Sequence, residues 1–196
     1  MRFAIADPPY PPSLSTRSDL ADGGTRVTSR SRARRWYGDG TRGHSDSPPA
    51  DFHPDAGIWD DPAEHRALLE SLMSTYDGWA IATSSDGLEA YRPLPIGARV
   101  LVWHVPNRIP SGSRILSRWE AVIAFVPESR RGREGATMVA DVLVEPAPAI
   151  GFAGAKPPQW TRWVLAVLGY DPATDYVVDL FPGSGAVGDA ADGMLI

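Results

Sequence analysis

Short apolar runs bounded by turn residues recur along the chain, and between them lie segments whose apolar residues fall at helical spacing. Residues 2–6 (RFAIA) read as a short buried strand that stops at Asp7 and meets the rigid run Pro8-Pro9-Tyr10-Pro11-Pro12. Asp61-Pro62 is a helix start with proline in the first turn. Leu68, Leu69, Leu72 and Met73 then share one face of a helix reaching about Tyr76, and Gly78 closes it. Residues 79–83 (WAIAT), 99–104 (RVLVWH), 120–126 (EAVIAFV), 137–144 and 176–180 (YVVDL) read as further strands, with a short helix or turn over 85–91. Residues 107–112 and 130–135 are turns, and a Pro/Ala/Gly linker covers 146–155. An amphipathic helix is expected over 158–168, ended by Gly169. The alternation of strand and helix predicts a single α/β domain, a sandwich around a mostly parallel sheet.

One segment breaks this rhythm. From residue 13 to about 52 apolar periodicity almost vanishes, Ser, Thr, Gly, Asp and Arg dominate, and seven arginines fall between Arg17 and Arg42. The pattern predicts a long Arg-rich loop or disordered insertion, and loops of this length within a domain are usually functional or unstructured. Within it Arg30, Arg32, Arg34 and Arg35 precede Trp36 and Tyr37, a basic cluster with adjacent aromatics suited to phosphates and unstacked bases.

Composition narrows the chemistry. The 196 residues hold 43% hydrophobic side chains, enough for a real core, but 19 Gly and 19 Pro argue against a helical bundle. There is no apolar run of membrane-spanning length, and Asp7 and the prolines come too soon for a secretory signal, so a cytoplasmic protein is expected. With no cysteine, thiolate metal sites and thiol nucleophiles are excluded, and four scattered histidines predict no metal. A net charge of −5 disfavours general coating of nucleic acid and leaves only a local basic patch for DNA. Lys156 is the only lysine beside 18 arginines, which marks it for attention.

Two strand ends carry unusual loops, and in open α/β sheets ligands sit at the carboxyl ends of strands. At the first, Asp7, the Pro8 carbonyl and the Tyr10 ring offer two acceptors for the protons of an exocyclic amine and a face for its base. A proline turn capped by an aspartate is the better account of those four residues when they are taken alone. The second loop, Asp179-Leu180-Phe181-Pro182-Gly183-Ser184-Gly185-Ala186, has glycines that let a ligand approach backbone N–H groups. It lacks the third glycine of a dinucleotide fingerprint and the Lys-Ser/Thr of a phosphate loop.

Taken together, these motifs resemble those of the S-adenosylmethionine-dependent DNA amino-methyltransferases of permuted motif order, the β class, over most of the chain. Asp7-Pro8-Pro9-Tyr10 is similar to the catalytic tetrad in its adenine N6 form. Residues 99–107 and 118–126 resemble the strands that follow it, and residues 139–142, then Lys156-Pro157-Pro158, then residues 179–185 resemble the stretch ending in the cofactor loop. The resemblance implies a Rossmann-like methyltransferase sandwich that transfers a methyl group from S-adenosylmethionine to the N6 amine of adenine in DNA. Asp7, Pro8, Pro9 and Tyr10 would be catalytic. Asp7, Lys156, Pro157, Asp179, Phe181, Pro182, Gly183, Ser184 and Gly185 would hold the cofactor, and Trp119-Glu120 would sit near the base pocket. Arg30, Arg32, Arg34, Arg35, Trp36 and Tyr37 would contact DNA, because only about 27 residues lie between Glu128 and Lys156, where the family carries its recognition segment. Only 11 residues follow Gly185, so the strand whose acidic end binds the cofactor ribose has no counterpart. The sheet is therefore expected to be shortened at one edge, with residues 176–180 as an edge strand open to a homodimer or a partner-dependent complex. Two alternatives stay open at this point: a module that binds nucleic acid or protein without turnover, and an amino-methyltransferase acting on cytosine N4 or RNA.

Overall fold

The computed structural model describes residues 1–17, 26–33, 55–109, 114–132, 138–149 and 154–182. In chain order the elements are β1 (Arg2–Ala6), β2 (Ser13–Arg17), β3 (Arg26–Arg30), α1 (Pro62–Thr75), β4 (Gly78–Ser84), β5 (Ala98–His104), β6 (Trp119–Phe125), β7 (Val142–Val144), α2 (Pro158–Leu168) and β8 (Tyr176–Asp179). Short 3-10 turns cover Ala56–Asp60, Gly87–Tyr91 and Glu128–Arg130. No helix among the described residues is long and apolar enough to cross a membrane.

Six strands form one sheet in the order β7-β5-β6-β4-β1-β8. β1 runs parallel to both β4 and β8, and β5 runs parallel to β7. β6 is antiparallel to its neighbours β4 and β5, so one strand of six is reversed. The reason lies in the connection. Parallel neighbours need a crossover, whereas β5 and β6 are consecutive antiparallel strands whose pairing extends past β5, the Val105 N–H donating to the Arg118 carbonyl at 2.7 Å. The sheet is mostly parallel, as the strand and helix rhythm predicts, with this single exception.

Each face of the sheet carries a helix. On β1, Phe3 and Ile5 pack with Trp160, Val164, Leu165 and Leu168 of α2, while Ala4 and Ala6 face Leu69 and Leu72 of α1 together with Trp79 and Tyr91. Strands buried on both faces read as continuous apolar runs, which is why WAIAT and AVIAF show no alternation. The Asp61 side chain caps α1 by accepting from the Ala63 N–H at 2.9 Å, with Pro62 in the first turn. Gly169 ends α2 in the left-handed conformation, at φ 70°. Gly78 is required where β4 begins to pair with β1, since a Cβ there would lie 2.7 Å from the ring of its partner Phe3.

The long polar segment differs from expectation. Ser13–Arg17 and Arg26–Arg30 pair as an antiparallel ribbon, with Ser13 opposite Arg30 and Arg17 opposite Arg26. Each stretch (SLSTR, RVTSR) has a single aliphatic residue, so the apolar period of two that marks a half-buried strand is absent although the backbone pairs. At the other end, the strand expected over 137–144 is confined to Val142–Val144 among the described residues.

Candidate amine site at the carboxyl rim of the sheet

β1 delivers Asp7 to the carboxyl rim of the sheet. β8, its parallel neighbour, delivers Asp179 to the same rim, in register with Ile5. The reversed β6 adds a third carboxylate, because its first residues arrive where the other strands end: Glu120 lies opposite Ser84 on one side and Trp103 on the other.

Lys156 ties these groups together. It follows the linker and precedes Pro157 and Pro158, whose rings set the start of α2. Its ammonium has three protons and three acceptors within hydrogen-bond distance: Asp7 Oδ2 at 2.7 Å, the Tyr10 hydroxyl at 3.0 Å and the Gly154 carbonyl at 3.2 Å. Glu120 Oε2 lies at 3.5 Å. The rings of Tyr10, Trp103 and Trp160 surround it at 5.3, 5.6 and 5.7 Å, positions that favour a cation. The Lys156 side chain is only 7% exposed, against 26% for Asp7.

Tyr10 accepts from Lys156 and donates its own proton to Glu120 Oε2 at 2.5 Å. Glu120 Oε1 in turn accepts from Arg108. Burial lowers the Arg108 pKa and the Arg32 cation adds to that, while Tyr10 opposes it. Two carboxylates, two cations and a phenol thus form one connected network at the mouth of β1.

Asp179 is shaped differently. Its Oδ1 accepts from the Phe181 N–H at 3.0 Å, which orders the turn leaving β8. Burial raises its pKa and the Asp7 charge raises it further, against the opposing Phe181 N–H bond. A cation placed between Asp7 and Asp179 would relieve that repulsion.

Behind the rim, Phe181 packs edge-on against Trp59 at 5.2 Å, and Trp59 packs on His65 at 5.2 Å. His65 is fully buried; its Nε2 donates to the Trp59 carbonyl at 2.9 Å, so its Nδ1 accepts the Tyr91 hydroxyl proton at 2.8 Å. Burial lowers the His65 pKa. Burial also raises that of Tyr91, and the nearby Asp7 adds to it. This packed chain of rings holds the turn that follows Asp179.

The residues singled out in the sequence therefore fall into three sets. Asp7, Tyr10, Lys156 and Pro157 converge at one end of β1, with Pro8 and Pro9 forming the turn between, and Asp179, Phe181 and Pro182 leave the adjacent strand. Arg32 does something else: its guanidinium pairs with both Asp86 oxygens at 3.0 and 2.7 Å, and one of its nitrogens also reaches Ser84 Oγ at 2.6 Å and the Pro11 carbonyl at 3.3 Å. It fastens the base of the β2–β3 ribbon to the turn after Tyr10. Arg30 ends β3, and Arg34, Arg35, Trp36, Tyr37, Gly183, Ser184 and Gly185 lie outside the described residues. Arg108 and the His65–Tyr91 pair were not legible as site residues. Glu120, which the resemblance puts near the base pocket with Trp119, also carries a signal of its own, a charged residue opening an apolar strand.

No protein-family model matches the chain, and no curated protein matches it in sequence.

Proposed function

We propose that the chain is a Rossmann-like amino-methyltransferase that uses S-adenosylmethionine. The particular reaction we assign is methylation of the N6 amine of adenine in DNA. The observation that carries this reading is the convergence of Asp7, Tyr10 and Lys156 at the carboxyl end of β1, beside Asp179 on the parallel neighbour β8. The Asp-Pro-Pro-Tyr segment and residues 180–182, which are distant in sequence, leave adjacent strands, as the methyltransferase resemblance implies.

The residues present suit the cofactor. Asp179, its pKa raised by burial and by Asp7, sits where a ligand cation is favoured, and the Asp179 oxygen other than the one bonded to Phe181 has no hydrogen-bond partner among the described residues. Asp7, Asp179, Lys156, Pro157 and Phe181 are the residues that would hold it. When bound, S-adenosylmethionine supplies an electrophilic methyl group on a cationic sulfur.

The chain's own part is to orient the amine. Asp7 and the Pro8 carbonyl accept its two protons and leave the nitrogen lone pair directed at the methyl carbon, while the Tyr10 ring lies against the base. Transfer would form the N–C bond as the cofactor's S–C bond breaks and leaves a neutral thioether, and the proton that the methylated amine sheds would pass to solvent through the Asp7 carboxylate. An adenine amine is inaccessible within a duplex, so the target base is flipped out or single-stranded. Among the described residues β8 pairs only with β1, an edge that supports association with a second copy or another partner, testable by light scattering.

Transfer of a labelled methyl group from the cofactor to mixed-sequence DNA tests the reaction. The native chain should label adenine, and Asp7→Ala should abolish labelling while retaining the fold, since Asp7 is partly exposed and outside the core. A chain that binds the cofactor and labels no nucleic acid would refute the reading.

A further inference from the structure

In the resting arrangement Lys156 occupies Asp7 Oδ2. A ligand amine that takes this oxygen displaces a buried ammonium, which is costly unless that ammonium has another acceptor. One is already in place. Glu120 Oε2 already forms an ion pair with Nζ at 3.5 Å, longer than an ordinary hydrogen bond, and its 6% exposure keeps it dehydrated and electrostatically strong.

We propose that Glu120 is a positioning residue that receives Lys156 when a ligand amine claims Asp7, and that it fixes the Tyr10 ring in both states. A movement of about 0.5–0.8 Å brings Nζ to Glu120 at ordinary hydrogen-bond length. Lys156 keeps its bonds to the Tyr10 hydroxyl and the Gly154 carbonyl, exchanges Asp7 for Glu120, and still satisfies three protons. Asp7 exchanges the ammonium for the amine. The number of hydrogen bonds is conserved, so the exchange is nearly balanced and the ligand decides it. Arg108 anchors Glu120 through the other carboxylate oxygen, which leaves Oε2 to Tyr10 and Lys156. The inference rests on the amine-binding role proposed for Asp7.

The single lysine makes the exchange observable without turnover, because selectively 15N-labelled lysine gives one side-chain NMR signal. The probes are a short single strand with one adenine and the same strand with none. In Asp7→Ala the signal should move to a new position, and in Asp7→Ala/Glu120→Gln it should leave that position. Asp7→Asn serves the same purpose should the alanine weaken the fold. In the native chain the adenine strand should move the signal toward the Asp7→Ala position, and the strand without adenine should not. In Glu120→Gln the adenine strand should bind about tenfold more weakly, the worth of one charge-assisted hydrogen bond, and leave the signal where it was. Identical signals in Asp7→Ala and Asp7→Ala/Glu120→Gln would overturn the role of Glu120. So would an adenine strand that binds the native chain without moving the lysine signal. Failure of the native chain to bind the adenine strand would instead refute the functional reading, with the two Asp7 variants still deciding whether Glu120 takes the ammonium.

Discussion

Lys156→Met removes one charge from the network and keeps nearly the same chain length. Three hydrogen bonds disappear, along with a cation placed among three aromatic rings. Removing one member of a fully buried ion pair costs about 3–5 kcal/mol, because the partner is left charged and dehydrated. Here the cost is smaller on both sides. Asp7 is 26% exposed and takes up water, and Glu120 keeps Arg108 and the Tyr10 hydroxyl. The expected loss is about 2–3 kcal/mol, which for a chain of this size lowers Tm by roughly 4–12 °C. Urea unfolding of native and variant chains measures it, with an unchanged m value showing that the loss lies in the native state. Adding Asp7→Asn removes the orphaned charge, so the double variant should be more stable than the sum of the two single losses. A Lys156→Met chain as stable as the native one, or a double variant with purely additive losses, would refute the electrostatic account of the site.

Three further outcomes follow from the same geometry. His65 is held below its ordinary pKa of 6.5 by burial, so the unfolded chain takes up a proton that the folded chain refuses; stability should fall as pH drops below about 6.5, and His65→Gln should flatten that slope in urea midpoints measured across about pH 5–7.5. Tyr91→Phe leaves the buried His65 Nδ1 without its donor and should cost about 1–3 kcal/mol, readable in the same titration. Burial raises the Asp86 pKa, but the bonds from Arg32 and Ser84 outweigh it and hold the group below its ordinary 3.8. That share of stability is present above the ordinary value and lost as pH falls, and Arg32→Ala should remove it at a cost of no more than about 1 kcal/mol, seen as a flatter acid limb in thermal melts.

The legible parts of this fold are those with local causes. The run RFAIA ending at Asp7 gives β1 and its rim, Asp61-Pro62 gives the start of α1, and Pro158 with Gly169 brackets α2. Strand direction has no such local cause. WEAVIAF reads as the same buried strand whichever way it runs, and its reversal is what brings Glu120 to the rim, where Arg108, just past the end of β5, bonds to it. Lys156 stands out as the lone lysine, but its bond to Asp7 spans 149 residues and no spacing encodes it. The β2–β3 ribbon is hidden for the opposite reason: its pairing is a backbone property of a polar sequence, and the apolar pattern is silent about it. His65 looks like any polar residue of an amphipathic helix until Tyr91 and the Trp59 carbonyl are seen to take both of its nitrogens.

If the rim formed by Asp7, Lys156 and Asp179 holds S-adenosylmethionine, isothermal titration of the native chain with that cofactor should show saturable binding of one molecule per chain. The demethylated product should bind as well, and Asp7→Ala should bind the cofactor more weakly. A native chain that gives no binding heat with either compound at several temperatures would contradict that role for the rim.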